Sequence, residues 1–254
     1  MKYPQLERLI EIVATLRGEN GCKWDREQTH MSLRPNMLEE AYEAVDAIDS
    51  GDILNLREEL GDVLLQVVLH SQIAKDNKNF DIEDVAKELS DKLVHRHPHV
   101  FGNIKVESTE EILANWDKLK KEEKSYRKSI LDGISKSQSA LMTAQKISKK
   151  VVKVGFEWDC EESLKNCIKS EYKEFEEAVE SGDMDKMEDE MGDIFFATVN
   201  LARWHKIDAE QALLRANKKF TKRFKKMEEI ASKPFEEYTY DEFNELWKKA
   251  KKLV

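Results

Sequence analysis

Proline and glycine are scarce in this chain, at 4 and 9 of 254 residues. Sheet folds and tight-turn folds draw on both, so their scarcity beside abundant Leu, Glu, Lys and Ala points to long helices and few turns. Cysteine is scarcer still. Cys22, Cys160 and Cys167 are odd in number and form no CxxC, which excludes a disulfide framework and fits reduced thiols filling the core of a cytoplasmic protein. No apolar run approaches the ~18 residues of a membrane span. The opening MKYPQLERLIEIV is amphipathic with acids inside it, unlike a secretory signal. Basic residues do not predominate: 42 Lys and Arg face 51 Asp and Glu, giving a net charge of −9. That balance excludes a general nucleic-acid binder, whose phosphate contacts need a basic surface. A Walker P-loop, GxGxxG and GxSxG are all missing, so neither the common Gly-rich phosphate cradles nor a nucleophile elbow applies.

What the chain has instead is concentrated in LEEAYEAVDAIDSGDILNLREELGDVLLQVVL, residues 38–69. Leu38, Ala41, Tyr42, Val45 and Ile48 recur at helical spacing and predict an amphipathic helix ending near Ser50. Gly51 suits the left-handed position after it, and Asp52 can cap a second helix through Leu56, Leu60, Val63, Leu64, Val67 and Val68. So short a connection makes the helices an antiparallel hairpin. Counted outward from Gly51, Glu43 and Glu59 stand at equal distance, and so do Glu40 and Asp62. Two facing carboxylate pairs are therefore expected, with the partners in each helix three residues apart on one face. Packed helices stand roughly 8–10 Å apart, a gap that inward-reaching carboxylates close around a cation and that uncompensated anions resist.

In a chain this acidic a single ExxE is most often a solvated helix face. A second copy argues otherwise. The tripeptide SGD at 50–52 returns at 181–183, and that offset of 131 carries Glu40, Glu43, Glu59 and Asp62 onto Glu171, Glu174, Glu190 and Asp193 without a gap. Upstream, GCKWD at 21–25 parallels GFEWD at 155–159, with Trp24 and Trp158 expected as core plugs and Asp25 and Asp159 as caps of the next turn. Downstream, Lys92 and Arg96 are answered by Lys219 and Arg223, and Trp116 and Lys120 by Trp247 and Lys251. The chain thus reads as two tandem all-α units of four to five helices. The first spans residues 1–124, the polar stretch 125–137 is a linker, and the second spans 138–254. The second hairpin helix of each unit is apolar over much of its girth, so the units are expected to pack on each other, on a second chain, or on both.

Carboxylates without His or Cys suit a hard cation such as Mg²⁺ or Mn²⁺ better than zinc, and the Glu-x-x-His of di-iron bundles is missing. Lys92 with Arg96, and Lys219 with Arg223, stand at i, i+4. Salt bridging to the many acids is the plain reading of such pairs, and their recurrence favours phosphate binding. Trp116 with Lys120 and Trp247 with Lys251 place an aromatic face beside an ammonium, although a tryptophan at helical spacing is commonly core. The HRHPH run at 95–99 is expected as a loop, since Pro98 breaks any helix there.

These words together, CKWDREQTHMSLRPNMLEEAYEAVDAI, EELGDVLLQVVLH, HRHPHVFGN, VGFEWD, EYKEFEEA and DEMGDIFFATVNLARW, resemble the MazG-type nucleoside triphosphate pyrophosphohydrolases over nearly the whole chain. The resemblance implies an all-α homodimer that hydrolyses nucleoside triphosphates to monophosphate and pyrophosphate. It also implies dependence on Mg²⁺, with Mn²⁺ able to substitute, broad base tolerance and a role in cleansing the nucleotide pool. The family's EExxE falls on Glu39, Glu40 and Glu43 and its ExxD on Glu59 and Asp62. Its second motif falls on Glu171, Glu174, Glu190 and Asp193, with Lys186, Lys219, Arg223, Trp247 and Lys251 as the implied nucleotide contacts. One departure stands out: Ser170 replaces the leading acid, Glu39, in the second unit. The first unit therefore reads as the better preserved site, with Glu39 accepting a proton from the attacking water and Lys92, Arg96 and Lys120 offsetting charge on the departing pyrophosphate. Two other readings compete: a narrowly selective dUTP-type pyrophosphohydrolase, and a non-catalytic helical module whose acidic hairpins bind cations or a basic partner.

Overall fold

The computed structural model describes residues 3–254, the side chain at position 121 excepted. The described residues form twelve α-helices, one 3-10 turn and no strand. They divide into two compact units that meet in sequence between Lys124 and Ser125. The first holds α1 (Pro4–Arg17), α2 (Lys23–Glu27), α3 (Arg34–Ser50), α4 (Ile53–Asp76), α5 (Ile82–Arg96), α6 (Pro98–Phe101) and α7 (Thr109–Glu123). The second holds α8 (Ala140–Val152), α9 (Glu161–Ser181), α10 (Met184–Trp204), α11 (Ala209–Ile230) and α12 (Tyr240–Leu253), with the 3-10 turn at Phe235–Glu237. No described helix is long and apolar enough to cross a membrane.

Each unit is organised by a helical hairpin, α3 with α4 and α9 with α10. The turn is made by Gly51 and by Gly182, both at φ +72°. In that region a side chain costs roughly 1–2 kcal/mol, and glycine avoids the cost. The next residue starts the return helix. One carboxylate oxygen of Asp52 accepts the N–H groups of Leu54 and Asn55 at 3.0 Å, and Asp183 serves Asp185 and Lys186 in the same way. Small residues line the seam: Ala47 is 1 % exposed and its counterpart Ala178 is 5 % exposed, which lets the two axes approach closely.

In the first unit α1 lies on the far half of α4. Val13, Leu33, Val68, Leu69 and Ile73 form the buried cluster, with Leu9, Ile10 and Leu65 against it. Each such side chain stabilises by ~1.5–3 kcal/mol. Arg17 Nε closes the end of this contact on Asp76 at 2.8 Å. In the second unit α8 fills the corresponding place with polar bracing. Ser148, fully buried, donates to Asn200 Oδ1 at 2.6 Å and accepts from Arg203 Nε, while Arg203 reaches Glu157 at 2.6 Å. The pair α11 and α12 adds its own core of Met227, Leu246 and Ala250, ringed by Phe235, Tyr238, Phe243 and Trp247.

Several expectations change here. Trp24 is 57 % exposed rather than a core plug, because it sits on the short helix α2 that packs on α1. Trp158 is half-buried. Asp25 lies inside α2, and Asp159 accepts from the N–H of Cys160, so neither caps a helix by its side chain. Cys22 and Cys160 are exposed and Cys167 is half-buried, so none fills a core. The HRHPH run is no open loop. α5 ends at Arg96, and Pro98, needing no N–H bond, starts the one-turn helix α6. Beside the stretch expected as a linker, Lys150 Nζ donates to the carbonyls of Ile130 and Asp132 at 2.6 and 2.9 Å. Much of the hairpin's apolar surface remains uncovered, including Tyr42, Leu60 and Leu64 in the first unit and Tyr172, Phe195 and Phe196 in the second.

Candidate active site

The hairpin geometry converges acids. Glu40 and Glu43 stand one turn apart on α3, and Glu59 faces them from α4. One oxygen from each lies within 4.8 Å of the other two, and Glu171, Glu174 and Glu190 repeat the arrangement in the second unit. The fourth acid of each set, Asp62 or Asp193, stands outside this group. Asp62 nevertheless stands close enough to be the strongest of the charges acting on Glu40. The result is a triad with a flanking acid, where the count from Gly51 alone anticipates two equal pairs.

The charges act on one another. Burial pushes the Glu40 carboxyl above its ordinary range, and the negative charges of Asp62, Glu43 and Glu39 push it further, while a hydrogen bond from Gln66 opposes them. Burial and then Glu43 and Asp62 do the same to Glu59. Glu190 is raised by burial, then Glu174 and Asp193. Among the described residues no lysine or arginine forms an ion pair with any of the six glutamates. Helices that bring three acids together without supplying a cation fit a cation from outside, and an all-oxygen donor set fits a hard one. In the second unit Cys167 Sγ lies 3.3 Å from Glu171, but burial and that hydrogen bond push its thiol up to about 11. It stays protonated at neutral pH and adds no thiolate to the donor set.

Glu39 is exposed next to Glu40, and in its place the Ser170 hydroxyl turns back to the carbonyl of Cys167 at 2.8 Å. Of the other anticipated residues, Arg96, Trp116 and Lys120 come together, in a constellation built on α5 and α7. Arg96 is 8 % exposed and grips Glu123 with both arms of its fork, Nε at 3.1 Å from Oε1 and a terminal nitrogen on Oε2. Its guanidinium stands 5.1 Å from the centre of the Trp116 ring, and Lys120 Nζ stands 4.5 Å from the same ring. Lys92 is half-buried one turn earlier.

The second unit differs. The residue in step with Glu123 is Val254, which has no side-chain carboxylate, and Arg223 Nε is buried without a partner among the described residues. Lys219 and Lys251 are exposed. Trp247 packs on Phe220 with ring centres 5.2 Å apart, as part of the α11–α12 core. Lys186 lies in the first turn of α10, 4.0 Å from the capping Asp183.

Two features escaped the sequence reading. Gln66 is 4 % exposed and points Nε2 at Glu40 Oε1, 3.5 Å away, while its own Oε1 has no partner among the described residues. A lone amide inside the apolar run LLQVVL, seven residues after Glu59 and so on its face of the helix, was the available signal. The second is His30 and His70, whose Nδ1 atoms are 2.8 Å apart in nearly coplanar rings with centres 5.1 Å apart. That centre distance is the hydrogen bond plus two ring radii, so the rings meet edge to edge through one shared proton. Burial, then His30, lowers the His70 pKa.

Comparison with known proteins bears on these hairpins directly. The MazG nucleotide pyrophosphohydrolase domain matches the chain twice, at residues 28–101 and 160–227, and each match encloses one acid triad. The nucleoside triphosphate pyrophosphohydrolase/pyrophosphatase MazG of Thermotoga maritima is 44% identical over 249 residues, covering 96% of this chain and 95% of that protein. The nucleoside triphosphate pyrophosphohydrolase of Escherichia coli is 43% identical over 259 residues, covering 98% and 97%. A crystal structure of a mazG-related protein from Thermotoga maritima aligns with 45% of this chain and 98% of its own at 32% identity, with a TM-score of 0.40.

Proposed function

The chain belongs to the MazG family and is a nucleoside triphosphate pyrophosphohydrolase, and we propose that it cleaves ribo- and deoxyribonucleoside triphosphates at the α-phosphorus in its first unit. The observation that carries this reading is the triad of Glu40, Glu43 and Glu59 within 4.8 Å, with Asp62 beside it. These four residues hold Mg²⁺, for which Mn²⁺ can substitute, and Glu171, Glu174, Glu190 and Asp193 form the corresponding site in the second unit. Bound there, the cation neutralises phosphate charge and acidifies water. Glu39, exposed at the edge of the cluster, takes the proton of the attacking water. A bond forms from the water oxygen to the α-phosphorus, the bond to the bridging oxygen breaks, and that oxygen leaves with the electron pair as part of pyrophosphate.

Lys92, Arg96 and Lys120 offset the charge of the leaving group, and Trp116 offers its face to the nucleotide. Arg96 reaches phosphate by giving up Glu123, exchanging one oxyanion that its fork grips with two hydrogen bonds for another. Lys186, Lys219, Arg223, Trp247 and Lys251 are the nucleotide contacts of the second unit. The acids engage phosphates and cation and read no base, which supports broad base tolerance and a role in clearing the nucleotide pool. The uncovered apolar faces of the hairpins support a homodimer that buries them, and three free cysteines accord with the cytoplasm.

The test is product identity. With Mg²⁺ and a nucleoside triphosphate, wild type releases monophosphate and pyrophosphate, and Glu43→Gln abolishes this while leaving the helical fold intact. Release of orthophosphate refutes cleavage at the α-phosphorus. Loss of turnover in Glu174→Gln, with Glu43→Gln fully active, moves the active site to the second unit.

A further inference from the structure

Gln66 is a buried polar side chain within hydrogen-bond reach of the acid cluster of the first unit. At 4 % exposure it is seated in the apolar interior beside α4, one heptad beyond Glu59. Its Nε2 is 3.5 Å from Glu40 Oε1, and its Oε1 is buried and without a donor among the described residues. Leaving a buried amide oxygen unpaired costs ~1–3 kcal/mol, a cost that a leucine or methionine at this position would avoid. The second unit shows the alternative, because the residue in step with Gln66 is Ala197, 5 % exposed, and its acid triad forms without any amide. Holding the hairpin together therefore does not require Gln66.

From this we infer that Gln66 is a positioning residue for cation binding in the first unit, resting on the reading of the triad as a cation site. Its amide hydrogens hold the Glu40 carboxylate in the orientation from which Glu40 ligates. Groups that orient a metal ligand from this outer position commonly contribute 10–100-fold to metal affinity. In the second unit the corresponding Glu171 is held only by the weaker S–H donor of Cys167, 3.3 Å away, and that unit binds the same cation more weakly. The two sites of one chain are thereby graded in affinity.

Mn²⁺ binding to the full-length chain, followed by calorimetry, tests this in a Glu174→Gln background that removes the second site. The background protein is expected to bind one class of Mn²⁺, and adding Glu43→Gln is expected to abolish it. Adding Gln66→Met, which keeps length and burial while removing donor and acceptor, is expected to weaken binding roughly 10–100-fold without lowering the melting temperature measured in chelator. If Gln66→Met does not fold, Gln66→Asn, which withdraws the amide from Glu40 by one methylene, carries the test with the same expected loss. Affinity within twofold of the background protein in a folded Gln66 variant overturns the inference and leaves the cation site standing. Failure of the background protein to bind Mn²⁺ at all overturns the cation site itself.

Discussion

Neutralising one acid in each triad, Glu43→Gln together with Glu174→Gln, should invert the order of stability between chelator and Mg²⁺. The oxygens of Glu40 and Glu43 lie within 4.8 Å. Two unit charges at that separation repel by ~0.9 kcal/mol in a water-like dielectric, and screening at physiological salt leaves ~0.5 kcal/mol. Glutamine keeps the shape and removes the charge, so in chelator the double variant is expected to be more stable than the parent by at least that amount per unit. For units of this size that corresponds to a melting temperature ~2 °C higher. Mg²⁺ at a hundred times its dissociation constant stabilises the parent by ~2.7 kcal/mol, or ~10 °C, and leaves the variant where it was. Scanning calorimetry of both proteins in chelator and in saturating Mg²⁺ reads the four values. The reasoning fails if the variant melts below the parent in chelator, or if both proteins gain equally from Mg²⁺, since either result means the acids point apart into solvent.

The same acids set a dependence on pH. The Glu40 and Glu59 carboxyls are raised, so the folded chain holds their protons more tightly than the unfolded chain does. Their contribution is favourable at low pH and is lost as pH rises through the raised values, so the stability gained from the Glu43→Gln change in chelator should shrink as pH falls below the carboxylate range. Glu242 behaves oppositely: bonds from the N–H of Thr239, then Lys233 and the Thr239 hydroxyl, hold it at about 2 instead of 4.5. It contributes stability above pH 4.5 that is lost as pH falls toward 2, and Glu242→Gln should flatten the acid limb of a melting curve that reports on α12. Glu39→Gln is expected to lower kcat of pyrophosphate release by ~10²-fold or more with little change in Mn²⁺ affinity, whereas equal losses in both would make Glu39 a ligand. Gly51→Ala, forced to φ +72°, should destabilise the first unit by ~1–2 kcal/mol in chemical denaturation, and an unchanged midpoint would show that the turn rearranges.

Sequence by itself determined the helical hairpin, its duplication and the acids that meet in each copy. Those features follow from local rules: apolar spacing sets a helix face, Gly51 and Asp52 set the turn, and equal counts from that turn bring Glu43 opposite Glu59. The tertiary structure alone decided matters that depend on what arrives from elsewhere in the chain. Glu40, Glu43 and Glu59 draw together with Asp62 at their flank, because reach across a gap depends on how closely the axes pack. Trp24 lies exposed on a short helix that rests on α1. Arg96 is held by Glu123, 27 residues away on another helix, and Gln66 turns inward to Glu40 although its neighbours in sequence are apolar. Periodicity tells which face a residue occupies, and only packing tells which partner that face meets.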